Sequence, residues 1–151
     1  MSWDALAAIA EALGAVAVLA SLVYLATQVR QNTQMIKSSI RQQLTATSQD
    51  VIFKGIDLAD VVAKAAIGET LTAGEQIQLN QLHRAALRGL EDFAYQNRHG
   101  LLDPSEWTAR LESARDLMSM PQMRRNWLEN RQQYSENLQK VIDPLASSEE
   151  D

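Results

Sequence analysis

Two histidines and a scatter of carboxylates are the side chains here best suited to metal or acid–base chemistry. His83 and Glu91 are eight residues apart, and His99 lies two turns beyond Glu91, so one helix could carry all three. A di-iron bundle needs Glu-x-x-His pairs projecting inward, and none occurs. Both histidines are therefore expected at the surface or at helix ends, with His99 complementing a carboxyl-terminal dipole. The chain has no Cys, which removes disulfides, thiolate metal sites and a Cys nucleophile. No Ser stands in a Gly-x-Ser-x-Gly turn, and no glycine loop of the phosphate-binding kind occurs. No catalytic, metal-binding or cofactor-binding residue is assigned, no cofactor is expected, and the chain is read as a non-enzyme.

Two further features are charged. Arg124, Arg125 and Arg131 form a basic group that could hold an anionic lipid or an acidic partner. With Glu129 and Glu136 at helical spacing nearby, a solvated, ion-paired face is the plainer reading. Glu11 is the one charge between Ala5 and Val29. An ionisable group within a membrane span is costly and invites a functional reading. Alternatively Glu11, two turns after Asp4, sits at the outer headgroup level and caps the apolar run.

That run must position everything else. From Ala12 to Val29 eighteen residues carry no charge, and at 1.5 Å each they extend roughly 27 Å, close to the hydrocarbon thickness of a bilayer. The stretch is read as a transmembrane helix. A cleaved signal peptide would want a basic segment before the apolar run, but Asp4 stands there and no Lys or Arg does. A buried core helix would need more chain to wrap it than the remaining 120 or so residues provide. Trp3 and Tyr24 lie near the two ends, where amphipathic rings favour the interface. Arg30, Lys37 and Arg41 follow the span, and no basic side chain precedes it. The amino end is thus expected outside, and the rest of this single-pass protein in the cytoplasm.

No Gly or Pro occurs from Ala15 to Lys54, so the helix is expected to continue as a stalk. Val29, Ile36, Ile40, Leu44 and Val51, with Thr33 and Thr47 between them, make a narrow stripe suited to one partner: later helices of the same chain or a second subunit. Gly55 is the first expected break. A short helix over Asp57 to Ile67 should stop at Gly68. Thr72-Ala-Gly-Glu75 is a capping box opening a helix to about Arg98, with Leu79, Leu82, Ala86, Leu90 and Phe93 along one face. His99-Gly100 stops it. Asp103-Pro104-Ser105-Glu106 starts the next, whose face is Trp107, Leu111, Ala114 and Met118. Pro121 opens a last helix with Met123, Trp127, Tyr134, Leu138 and Val141, ended by Asp143-Pro144. Phe93, Trp107, Trp127 and Leu138 are expected to meet in one core.

The fold expected is all-α: an N-terminal transmembrane helix (1–29), a helical stalk (30–54), a small antiparallel helical bundle in the cytoplasm (55–143) and a disordered acidic tail (144–151). Beyond Lys54 there are sixteen acids against ten bases, which argues against nucleic acid as a partner. Three segments resemble an uncharacterised family of small bacterial membrane-anchored helical proteins. They run from Ala10-Glu-Ala-Leu-Gly through Tyr24-Leu-Ala-Thr-Gln-Val-Arg-Gln-Asn-Thr33, then Glu91-Asp-Phe-Ala-Tyr-Gln-Asn-Arg-His-Gly-Leu-Leu-Asp103 with Trp107, then Pro121 to Trp127. The resemblance implies a bacterial inner-membrane protein with a helical cytoplasmic part, and no established activity. Near the ends of its third and fifth helices the family pattern has paired aromatics, where this chain has Ala94-Tyr95 and Trp127-Leu128.

Within the apolar run, Ala7, Ala10, Gly14, Ala17 and Ser21 follow at spacings of three, four, three and four. That 3.5-residue period keeps small side chains on one stripe and favours a left-handed crossing with a neighbour. Leu6, Ile9, Leu13, Val16 and Val23 fall on another face, suited to membrane lipid. The expectation is a membrane-anchored interaction or scaffold module. It would form a homo-oligomer through this seam and offer its helical domain to a cytoplasmic protein partner. The alternative is a small oligomeric channel with Glu11 ringing its outer mouth.

Overall fold

The computed structural model describes residues 2–147. It is all-α and, among the described residues, contains no strand. The helices are α1 (Trp3–Asp57), α2 (Ala59–Ala66), α3 (Ala73–Arg98), α4 (Pro104–Ser119), α5 (Pro121–Asn130) and α6 (Glu136–Ser147), with a single 3₁₀ turn, Arg131–Gln133, between α5 and α6. The chain divides between Ser39 and Ile40 into two compact units.

The first unit is the amino-terminal part of α1, and every described side chain in residues 3–39 is exposed. One helix here is long and apolar enough to cross a membrane: its most apolar eighteen-residue window has a mean hydropathy of 2.2, and none of that window is buried. Three of its hydroxyls are satisfied within the helix. Ser21 donates to the Ala17 carbonyl at 2.8 Å, Thr27 to Tyr24 at 2.7 Å and Thr33 to Val29 at 2.9 Å, which is how polar side chains are carried on an apolar helix.

The second unit is a helical bundle built around Trp127. Its main core gathers Leu87 and Leu90 from α3, Ala114 and Met118 from α4, Met123 and Trp127 from α5, and Leu138 and Ile142 from α6. Trp127 is 0 % exposed and donates its indole N–H to Asp143 at 3.1 Å, so its one polar atom has a partner. Phe93 does not join this core. It packs with Leu44 of α1 and with Leu102 in a separate cluster, and half-buried Trp107 touches both. A third cluster, Val61, Ala65 and Leu79, seats α2 on α3. The stalk stripe is settled over the part in this unit: Leu44 is buried and Ile40 and Val51 half-buried, with Leu44 and Ile40 against the chain's own later residues.

The helix ends follow their signals closely. Thr72 and Glu75 form the reciprocal capping box, at 3.2 Å and 2.8 Å. The Lys64 ammonium, then the Thr72 N–H and hydroxyl, hold the Glu75 carboxyl down at about 2. Gly68 and Gly100 adopt the left-handed conformation, at φ +76° and +67°. They close α2 and α3 with bonds from Glu69 to Lys64 and from Leu101 to Gln96. Asp103 accepts from the Ser105 N–H ahead of Pro104.

Three expectations are corrected. Gly55 does not break α1, which runs to Asp57. A single glycine costs a helix only about 1 kcal/mol, and the turn falls at Leu58 instead. The expected last helix is two, because Ser135 opens α6 by accepting from the Leu138 N–H through its hydroxyl, with the 3₁₀ turn before it. Asp143-Pro144 does not end α6 and the tail does not begin at 144: Pro144 lies inside a helix that runs to Ser147, held by buried Ile142 and Ala146. The tail residues 148–151 lie outside the described residues.

Candidate functional site

On the first unit, Ala7, Ala10, Gly14, Ala17 and Ser21 are all exposed, as is Glu11. A side chain built on Gly14 would meet nothing within 4 Å, so the helix backbone is open to approach there.

The second unit carries an apolar groove of about 380 Å³ between the carboxyl-terminal part of α1 and helices α3 and α4. Val51, Ile52, Leu90, Phe93, Leu117 and Met120 supply its walls, and Arg110 and Asp116 its charge. The α3 stripe expected to be core delivers Leu90 and Phe93 to this groove, and Gly89 lines it without a side chain. The Arg110 guanidinium lies over the Phe93 ring, 4.0 Å from its centre, an attraction that holds the ring as a fixed wall. Beyond Phe93 lies a smaller, more polar pocket whose rim pairs Arg41 with Glu106 at 2.8 Å. Aliphatic walls with a few fixed charges suit non-covalent binding of an apolar side chain or ligand. Ile52 and Met120 on this groove remain largely exposed.

A second cavity, of about 660 Å³, has the opposite character. Gln76, Leu79, Asn80 and His83 of α3 face Pro121, Gln122, Arg125, Asn126 and Glu129 of α5 across it, and the Gly68–Leu71 loop closes one end. His83, expected at the surface, is instead 8 % exposed, and its Nδ1 has neither water access nor a hydrogen-bond partner. Burial lowers its pKa, which favours the neutral ring. Leaving such a group unpaired costs about 1–3 kcal/mol. The signal was present as periodicity: Gln76, Asn80 and His83 recur at i, i+4 and i+7, and Gln122, Arg125, Asn126 and Glu129 at i, i+3, i+4 and i+7. Each is a polar helical face, and only the packing of α3 against α5 shows that the two oppose each other.

The three arginines do not form one basic site. Arg124 donates to the Met118 carbonyl at 3.2 Å, Arg131 pairs with Asp143 at 2.6 Å, and Arg125 faces the polar cavity. Arg131 and Trp127 thus share Asp143, which is a structural tie between α5 and α6.

His83, Glu91 and His99 are not brought together as a metal site, and no group of three or more candidate ligands occurs among the described residues. Glu91 accepts from the Ser135 N–H at 2.6 Å and from Arg88 at 2.5 Å. Burial alone would push its carboxyl up, but these bonds outweigh it and hold the pKa below its ordinary value. Its task is to tie α3 to the start of α6. His99 is the cap of α3 and stacks on Tyr95 with ring centres 4.4 Å apart. No family model, curated protein or solved structure matches this chain.

Proposed function

We propose that this chain is a non-enzymatic, membrane-anchored interaction module. In this reading α1 crosses the membrane once, the small-residue seam pairs copies of the chain, and the helical domain offers its apolar groove to a cytoplasmic protein partner. One observation carries the reading: eighteen consecutive residues of mean hydropathy 2.2, none buried, in a chain whose mean hydropathy is −0.24. Each large apolar side chain left in water forgoes about 1.5–3 kcal/mol of transfer free energy, and a lipid phase recovers it. A helix is also one of the few structures that can enter lipid, because its backbone bonds are internal. Ser21 and Thr27 extend that economy to their hydroxyls.

Arg30, Lys37 and Arg41 follow the apolar run and support an amino end outside and a domain inside. The bacterial inner membrane is the setting proposed, in keeping with the family resemblance. Helices in lipid pair through close packing, since lipid offers no hydrophobic drive between them. Gly14, open to approach, stands at the middle of the seam.

The test is Gly14→Leu combined with Ala17→Leu, which fills the seam with bulk yet stays apolar and leaves insertion intact. Light scattering in detergent should find the parent oligomeric and the double variant monomeric. A double variant that keeps the parent's mass, or a monomeric parent, removes the seam as the interface.

A further inference from the structure

We infer that the groove between α1, α3 and α4 binds a fatty acid, its alkyl chain along the apolar walls and its carboxylate on Arg110. The inference rests on the groove being a binding face, as proposed above, and is independent of the membrane crossing.

Two adjoining hollows of opposite character meet at one partition. The apolar groove of about 380 Å³ and the more polar pocket of about 280 Å³ share Phe93, Arg110 and Ser113 in their linings. A molecule lying across that partition has one apolar end and one polar end, which is the build of an amphiphile. On the apolar side Val51 and Ile52 of α1, Leu90 of α3 and Leu117 of α4 line the groove, with Met120 just past the end of α4. Ile52 and Met120 are still 60 % and 48 % exposed, so the walls keep apolar surface that a chain would cover. From Arg110 to Leu117, α4 rises about 10 Å, the reach of a medium-length alkyl chain. Each methylene buried there favours binding by about fourfold.

The charges select the head group. Arg41, Glu106 and Arg110 are the charged residues of the polar pocket, and Arg41 is paired with Glu106 at 2.8 Å. Arg110 is the base left over. It is half-buried, and none of the ion pairs observed among the described residues includes it. The pocket is thus locally positive in a chain of net charge −5. The Arg110 guanidinium stacks over the Phe93 ring, 4.0 Å from its centre. Stacking uses the flat face of the guanidinium and leaves its N–H groups at the edge, where two parallel bonds meet a carboxylate. The acid of the groove, Asp116, is exposed and stands a rise of about 9 Å from Arg110 along α4. It stays solvated there, away from the partition, so the anionic head belongs at Arg110 and the chain runs from it toward Leu117.

The test uses the full chain in detergent with its methionine methyls labelled with ¹³C, the Met120 signal assigned through Met120→Leu. Sodium decanoate and 1-decanol are titrated separately at one detergent concentration, so that partition into detergent is common to parent and variant. Decanoate should move Met120 saturably, with an apparent Kd of about 1 mM or tighter, while Met35, exposed in the other unit, does not follow. Arg110→Gln should weaken decanoate by about tenfold and leave 1-decanol unchanged. Gly89→Leu is the second variant. A Cβ there meets only the Thr47 methyl, at 3.9 Å, so the larger side chain enters the groove without displacing its walls, and it should weaken both ligands by about tenfold. The inference is overturned if decanoate gives no saturable Met120 shift in that range. It is equally overturned if Arg110→Gln weakens 1-decanol as much as decanoate, or if either variant binds decanoate like the parent. Binding of 1-decanol with no dependence of decanoate on Arg110 would remove the fatty acid and keep the groove as a binding face.

Discussion

Leu22 and Leu138 are the same side chain on two helices of one chain, yet Leu22 is 56 % exposed and Leu138 is 0 % exposed. The difference lies in what surrounds each along the sequence. Around Leu138 the apolar residues Val141, Ile142 and Leu145 alternate with Glu136, Gln139, Lys140 and Asp143, so one stripe can turn inward while the rest meets water. Around Leu22 there is no such alternation, and no orientation of the helix could hide its apolar surface from an aqueous medium. The carboxyl-terminal unit resolves its hydrophobicity by packing. The amino-terminal unit leaves it outward, which is consistent with a different solvent.

The comparison can be broken most severely from the packed side. Trp127→Ala should destabilise the carboxyl-terminal unit by about 3–5 kcal/mol, as removal of a large aromatic from a filled core does. It also removes one of the two partners of the Asp143 carboxylate and leaves it to Arg131 alone. Thermal melting followed by circular dichroism checks this, and a variant that melts within a degree of its parent would mean that Trp127 does not hold the core.

From the other side, Leu19→Arg places a charge in the middle of the apolar run. Membrane insertion should become less favourable by about 2.5–3.5 kcal/mol, while the melting of the carboxyl-terminal unit stays put because Leu19 is exposed and lies in the other unit. A glycosylation-site insertion assay reads the first effect and the melt reads the second. Unchanged insertion, or a lowered melting temperature, would erase the distinction between the two units.

Thr72→Ala is smaller and sharpens the local picture. It deletes half of the capping box at the start of α3 and should cost about 0.5–2 kcal/mol in a chemical denaturation midpoint. Smallest is the acid response of its partner. The Glu75 pKa falls from an ordinary 4.5 to about 2 on folding, so its contribution to stability is complete above 4.5 and is lost as pH falls toward 2. Glu75→Gln should flatten the stability–pH curve in that window. A variant curve parallel to the parent's would remove Glu75 as a contributor.

Much of this architecture was legible from residues that act locally. Thr72, Glu75, Gly68, Gly100, Asp103 and Pro104 each set a helix end through bonds to their own neighbours, and each does what its type dictates. Two misreadings are local, a glycine that α1 tolerates at Gly55 and a cap at Ser135; the others involve decisions made at a distance. Whether Pro144 ends a helix depended on Ala146 finding the core, and whether Phe93 met Trp127 or Leu44 depended on how α1 and α3 pack. The polar cavity was the hardest to foresee. Its two walls read as ordinary solvated faces, and Arg125 was grouped with Arg124 and Arg131 by sequence although the three face different surroundings. His83 was placed at the surface because composition alone gives a lone histidine no reason to be buried.

The central claim is that the exposed apolar helix is a retained membrane anchor. Its most direct test is intact-mass measurement of the protein recovered from cells, after their membranes are washed with alkali. The expected result is a chain that still carries the apolar run, in the membrane pellet and requiring detergent for release. Recovery in the alkaline wash, or of a chain shortened to begin beyond the apolar run, would contradict it.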